Sequence, residues 1–290
     1  MFKGSFVAIV TPFRDGKLDE AALRSLLEFH LSNGTNGIVP CGTTGESPTL
    51  SHDEYERVIE ITVEMVHGRL PVIAGTGFNA TDKTIEATRF AKKAGADGAL
   101  IVTPYYNRPT PEGIYQHFAA VAKAVDIPII VYNIPGRTGT NVLPDTMARL
   151  ASIETVVGVK ESTGSLQQVQ EMIKLCGDKF TVLSGDDWAT LPLLAVGGKG
   201  VISVTANIVP RQVATVISEW EKGNLAAARA LHYTLWPLHS TLFIETSPTP
   251  VKTALGMMGK INPEVRLPLA PMLSNNRTKL EMALKDFGLL

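Results

Sequence analysis

Val156-Val157-Gly158-Val159-Lys160-Glu161-Ser162 is a run of β-branched residues that stops on a cation, an acid and a hydroxyl. Valine at three of its first four positions reads as a strand covered on both faces, the kind found in parallel sheets. The fold follows from the recurrence of such runs. Residues 5–10, 37–41, 71–74, 98–102, 128–132, 180–184 and 200–204 are equally rich in Val, Ile, Leu and Ala. Between them lie segments with apolar residues at helical spacing. Residues 19–33 carry Leu23, Leu26, Leu27 and His30 after an acidic start and before Gly34, and Ser51 opens the next helix with Glu54 at the capping-box offset. The pattern repeats over 81–94, 112–125, 144–150, 166–175 and 188–196. Strand and helix alternating eight times predict an α/β fold, a (β/α)8 TIM barrel. After the eighth run only helical patterns follow, over 210–221, 224–242, 250–258 and 271–287. Residues 1–208 are therefore expected to form the barrel and 209–290 a C-terminal helical extension packed with it.

The bulk properties agree with one small-molecule enzyme. A chain of 290 residues with 44% hydrophobic content buries one sizeable core, and a barrel of about 250 residues plus a tail fits that length. A net charge of -1 offers no basic field for nucleic acid or anionic lipid. Thr11-Pro12 ends the first apolar stretch too early for a signal-peptide core, and no segment approaches the ~18 apolar residues of a membrane span. Cys41 and Cys176 stand far apart with no Cys-x-x-Cys spacing, against a disulfide framework or a thiolate zinc site. A cytoplasmic location is the expectation.

Barrel enzymes gather their chemistry where strands end, so the residues just after each run carry the functional information. They read Thr11-Pro12, Gly42-Thr43-Thr44-Gly45-Glu46, Gly75-Thr76-Gly77, Thr103-Pro104-Tyr105-Tyr106, Tyr132-Asn133, Lys160-Glu161-Ser162, Gly185-Asp186 and Thr205-Ala206-Asn207. The set is rich in hydroxyls and holds a single lysine. Alternation puts Lys160 on one face with Gly158, whose missing side chain is expected to leave room beside it. An amine attacks a ketone only when neutral, a state that apolar burial or a neighbouring cation favours. From spacing alone, Lys160 either snorkels its ammonium out of the barrel mouth or serves as that nucleophile.

The loop Gly42-Thr43-Thr44-Gly45-Glu46-Ser47 offers backbone N–H groups and hydroxyls to a carboxylate, or is simply a tight turn; without a Lys-Ser/Thr ending it is not a phosphate loop. Arg137 on Gly136-Arg137-Thr138-Gly139 is a surface arginine or a fork for a second carboxylate. Tyr132 and Tyr106 are core or interface aromatics, or members of a proton relay. Two patterns mislead. Gly75-Thr76-Gly77-Phe78-Asn79-Ala80 matches a dinucleotide fingerprint, but it follows the third strand and its acidic residue, Asp97, precedes the next strand instead of ending it. His52-Asp53-Glu54 sits at an exposed-looking helix start with no His-x-x-x-His partner, so no metal site is expected.

In this order and on these strands, Gly42-Thr43-Thr44-Gly45-Glu46, Tyr132-Asn133-x-Pro135 and Gly158-x-Lys160-Glu161 resemble the motifs of the N-acetylneuraminate lyase superfamily. Tyr105-Tyr106-Asn107 and Arg137-Thr138-Gly139 narrow the resemblance to its 4-hydroxy-tetrahydrodipicolinate synthase (dihydrodipicolinate synthase) family, since sialic acid lyases usually lack the arginine-threonine pair. The resemblance covers essentially the whole chain. It implies a Schiff-base condensation of pyruvate with L-aspartate 4-semialdehyde on the route to lysine and diaminopimelate. Lys160 would form the imine and Thr44 hold the pyruvate carboxylate. Tyr132, Thr43 and Tyr106 would move protons, Tyr106 coming from the neighbouring subunit. Arg137 would hold the semialdehyde, and Gly185 and Ile202 line the pyruvate site. The protonated imine is the electron sink, so neither metal nor organic cofactor is implied. Homotetramers built from tight dimers are the family's common assembly.

The same resemblance places a regulatory lysine site at Ser47, Pro48, His52, Tyr55, Asn79, Lys83 and Tyr105. Lys83 stands where lysine-sensitive members carry glutamate and Tyr55 where they carry histidine, so weak lysine inhibition is expected; Asp82, next in the chain, is the nearest substitute carboxylate. Two other functions fit less well. One is another keto-acid or sugar-acid aldolase of the superfamily, which Arg137 argues against. The other is a non-catalytic small-acid-binding barrel, which has no use for the combined Lys160, Tyr132, Thr43, Thr44 and Tyr106.

Overall fold

The computed structural model describes residues 2–290. Among them, eight short strands make one parallel sheet: β1 (Gly4–Ala8), β2 (Gly37–Val39), β3 (Ile73–Gly75), β4 (Gly98–Val102), β5 (Ile129–Asn133), β6 (Val156–Glu161), β7 (Thr181–Ser184) and β8 (Gly200–Ser203). They hydrogen-bond in the order β2-β1-β8-β7-β6-β5-β4-β3. A parallel bridge between Ile38 and Val72 joins the two ends and closes the ring. Every expected strand is present. The second stops at Val39 because the chain turns sharply at Cys41, where φ is 55°.

Helices α1 (Glu20–Ser32), α2 (His52–Val66), α3 (Thr81–Ala94), α4 (Pro111–Ala124), α5 (Pro144–Ala151), α6 (Leu166–Cys176) and α7 (Thr190–Ala195) surround the strands. The capping box at Ser51 and Glu54 is formed in both directions. The C-terminal appendage comprises α8 (Pro210–Glu221), α9 (Leu225–Thr241), α10 (Thr249–Met257) and α11 (Ser274–Asp286). The last helix begins at Ser274 because Leu273 before it is extended. Two elements leave no periodic trace in the sequence: a hairpin with two residues per arm, Phe13–Arg14 and Lys17–Leu18, and a single helical turn, Pro135–Thr138. None of the described helices is long and apolar enough to cross a membrane.

Strand alternation sorts the core into a wall and a lumen. Val7, Ile38, Ala74, Ile101, Val131, Val159 and Val182 face the helices, while Phe6, Ala8, Val39, Ile73, Leu100, Ile130, Tyr132, Leu183 and Ile202 fill the barrel. One strand breaks the alternation. Ile129 is paired with Val156 but Ile130 with Gly158, so Val157 is an extra residue, a bulge. Val156 packs into the outer wall, Val157 against the lumen cluster, and from Gly158 onward the register is that of the lumen.

Candidate active site

That register brings Lys160 opposite Tyr132 on one side and Leu183 on the other, both lumen residues, so its side chain enters the barrel. It does not snorkel: Lys160 is 5% exposed and its Nζ lies 4.1 Å from the centroid of the Tyr132 ring. Room for it comes from a different glycine than expected. A Cβ on Gly158 would meet the Thr181 carbonyl oxygen at 2.4 Å, so that glycine serves the close approach of β6 to β7. A Cβ on Gly185 would lie 3.1 Å from Lys160 Cε and still closer to Ser162 Oγ, so Gly185 is the residue whose bareness admits the lysine stem. Ser162 Oγ is buried without a hydrogen-bond partner.

The residues one step along the same strands point outward and form a polar buttress. Asn133 and Glu161 are register partners, and Asn133 Nδ2 donates to Glu161 Oε2 and to Asn141 Oδ1, each at 2.9 Å. Thr163 N donates to the other carboxylate oxygen at 2.7 Å. Burial pushes the Glu161 carboxyl above its ordinary range, against the pull of these donors. Tyr132-Asn133 and Lys160-Glu161 thus have one construction: the first residue faces the lumen and the second locks the strand from behind.

Over the barrel mouth lies a cavity of about 230 Å³ lined by Gly42, Thr43, Gly75, Leu100, Val102, Tyr105, Tyr132, Ile134, Arg137 and Thr138 among others. Thr43, Tyr132 and Arg137 therefore meet in one space, with Lys160 against the Tyr132 ring and buried Thr44 next to Thr43 in the chain. Ile202 belongs to the lumen packing beside Leu183. Arg137 is anchored from far along the chain, its Nη2 donating to the Ser247 carbonyl at 3.1 Å. Tyr106 stands apart. It is 90% exposed on a backbone with φ of 73°, and Asn107 Nδ2 ties the loop to the Asn79 carbonyl at 2.8 Å.

Asp186 is a residue to which sequence reasoning gave no role. Burial pushes its carboxyl up to about 6, the Lys160 charge opposing the shift. It lines a smaller cavity of about 110 Å³ with Glu161, Ser184 and Trp188. The available signal was its place immediately after Gly185 at a strand end. The fingerprint-like Gly75 and Gly77 have a plain structural reason, since Cβ atoms there would strike the Cys41 carbonyl oxygen at 2.3 Å and the Val102 nitrogen at 2.4 Å. Among the described residues, no group of three or more His, Cys, Asp or Glu side chains is placed to hold a metal ion.

A second cleft, about 780 Å³, is lined by all seven residues of the expected regulatory site: Ser47, Pro48, His52, Tyr55, Asn79, Lys83 and Tyr105. It shares Ser47, Pro48, Phe78 and Tyr105 with the central cavity. Asp82 is not among its lining residues. The carboxylates there are Glu56, 3.4 Å from His52, and Glu86, one helical turn beyond Lys83. Tyr55 presents ring rather than hydroxyl, because its Oη donates to the Gly75 carbonyl at 2.8 Å.

The comparisons with known proteins agree with this geometry over the full length. The pattern of the Dihydrodipicolinate synthetase family matches residues 1–287. A protein of Syntrophus aciditrophicus (strain SB) named 4-hydroxy-tetrahydrodipicolinate synthase is 59% identical over 290 residues, covering 100% of both chains. The crystal structure of dihydrodipicolinate synthase from Aquifex aeolicus superposes with a TM-score of 0.98 at 52% identity, covering 99% of each chain. The Acinetobacter baumannii enzyme, solved in complex with pyruvate, gives 0.98 at 46% identity and 100% coverage of both. With its barrel, its strand-end motifs and its whole length accounted for, this chain belongs to the dihydrodipicolinate synthetase family.

Proposed function

We infer that this chain condenses pyruvate with L-aspartate 4-semialdehyde to 4-hydroxy-tetrahydrodipicolinate, the reaction named for its full-length relatives, and that Lys160 is the amine that makes the condensation possible. The observation that carries the assignment is a lysine in the barrel lumen, over an aromatic ring, with no ion pair to a carboxylate among the described residues. The amine adds to the pyruvate ketone; loss of water gives an iminium that acidifies the neighbouring methyl. The resulting enamine carbon attacks the aldehyde. Tyr132, on the ring side of the amine, is placed to move the protons of these steps, with Thr43 in the same cavity.

The buried Thr44 turn is assigned to the pyruvate carboxylate, with Gly185 and Ile202 bounding the site, and the Arg137 guanidinium to the semialdehyde carboxylate. Tyr106 completes the relay in a neighbouring subunit, which accounts for a tyrosine held almost fully exposed, and the assembly assigned is a dimer of such dimers. Pyruvate with borohydride is expected to add one reduced pyruvyl group to Lys160, located by peptide mass spectrometry. Lys160→Ala should abolish the adduct and lower kcat at least about a thousandfold. A stoichiometric adduct on another lysine would overturn the assignment.

A further inference from the structure

The carboxylate turn is gripped from outside the barrel. Glu46, its last residue, is buried with φ of 53°, and its carboxylate accepts from Lys252 Nζ at 2.6 Å and from the Arg266 backbone N–H at 2.9 Å. Lys252 lies on α10 of the appendage and is 0% exposed. The Phe13 ring carries both cations, with Lys252 Nζ 4.1 Å and Arg266 Cζ 4.0 Å from its centroid. Arg266 also clamps Glu54 through two bonds of 2.6 Å and donates to the Thr49 carbonyl at 2.9 Å. From the other side, Thr11 Oγ1 donates to the Gly45 carbonyl at 2.7 Å. Inside the turn, the Gly45 and Glu46 nitrogens donate to the Gly42 and Thr43 carbonyls, each at 3.1 Å. Thr43 and Thr44 are thus the crest of a turn whose far end is fastened to a residue 206 positions away.

A fully buried ion pair adds little net stability over apolar side chains of the same shape, because desolvation consumes most of the attraction. Its distinctive contribution is geometric. It fixes where the carboxylate must sit, and here that carboxylate ends the turn.

We propose that Lys252 and Glu46 are positioning residues for the reaction: their ion pair, made by the appendage, sets the Thr43–Thr44 turn in the geometry that receives the pyruvate carboxylate. The proposal rests on the assignment of Thr44 to that carboxylate. Its test is the charge-free pair Glu46→Gln/Lys252→Met in the full chain, which removes the ionic lock without leaving one buried charge alone. The expected result is a melting temperature within a few degrees of the parent and a KM for pyruvate raised about tenfold or more, with a fall in kcat because Thr43 shares the turn, and with KM for the semialdehyde changed less than about threefold. A purely structural role would lower the melting temperature and the active fraction but would not single out pyruvate. A folded double variant whose pyruvate KM stays at the parental value, while Thr44→Val raises it, overturns the proposal alone. If Thr44→Val has no effect on pyruvate KM, the carboxylate assignment falls and the proposal with it. Should the double variant not fold, Lys252→Arg carries the same test. It keeps the charge but not its length, and it is expected to raise pyruvate KM about threefold; an unchanged value overturns the proposal.

Discussion

Lys160 and Lys252 are both buried, 5% and 0% exposed, and each holds its Nζ 4.1 Å from the centroid of an aromatic ring, yet among the described residues only Lys252 of the two forms an ion pair. At the shoulder between barrel and appendage, burial lowers the proton affinity of the Lys252 ammonium and the adjacent Glu46 carboxylate restores much of it. In the lumen, Lys160 meets a ring, the bare Gly185 and the more distant Asp186. Burial alone therefore does not make a lysine chemically available. What separates the two is the fixed partner, and that difference is invisible in side-chain type or exposure.

The contrast breaks most sharply under truncation. Lys252→Met leaves the Glu46 carboxylate buried without its partner and should cost about 3–5 kcal/mol of stability in urea denaturation. Lys160→Met orphans no paired carboxylate and should cost less than about 1 kcal/mol, or stabilise, as functional groups commonly do when replaced by apolar ones. Equal losses in the two variants would mean that Lys160 is held by a pair after all. A second cation sharpens the comparison from the substrate side. Arg137 reaches into the cavity while anchored at the Ser247 carbonyl, so Arg137→Ala should cost about 2–5 kcal/mol in kcat/KM for the semialdehyde and leave pyruvate trapping at Lys160 intact. Parallel loss of both would make its role structural. The smallest effect belongs to Lys83, an exposed cation in the side cleft. At water-like dielectric, exchanging repulsion for attraction is worth about 1–2 kcal/mol, so Lys83→Glu should tighten lysine inhibition about five- to thirtyfold from a weak starting value. Strong inhibition of the unmodified enzyme would show that Glu56 and Glu86 already supply the needed charge.

Most of the barrel was legible because its strands are buried on both faces and so read as uninterrupted Val/Ile/Leu runs, with helices marked by caps such as Ser51–Glu54. Lys160 was legible as a candidate because it is the one cation among the strand ends, but spacing alone did not separate a snorkelling lysine from one in the lumen. Features of three kinds were not. The hairpin at 13–14 and 17–18 is too short to leave a period. The Glu46–Lys252 pair joins residues 206 apart, and nothing local distinguishes either from a surface charge. The correct glycine beside Lys160 was also hidden, since alternation along one strand suggests Gly158, whereas the space is set by the neighbouring strand and its Gly185.

The bulge at Val157 has a consequence for how the lumen lysine is specified. Val156 and Lys160 are four positions apart, and in an unbroken pleat an even separation puts both on the same side of the wall. Val156 is in the outer wall. In a strand pleated regularly through Val157, with no bulge to absorb that residue, Lys160 would join Val156 there, among the helices and away from any substrate. The strand instead changes parity between its first and third residues, contributing to the outer packing at its start and to the chemistry at its end. The address of the amine is thus written as a count, odd or even, upstream of the lysine itself.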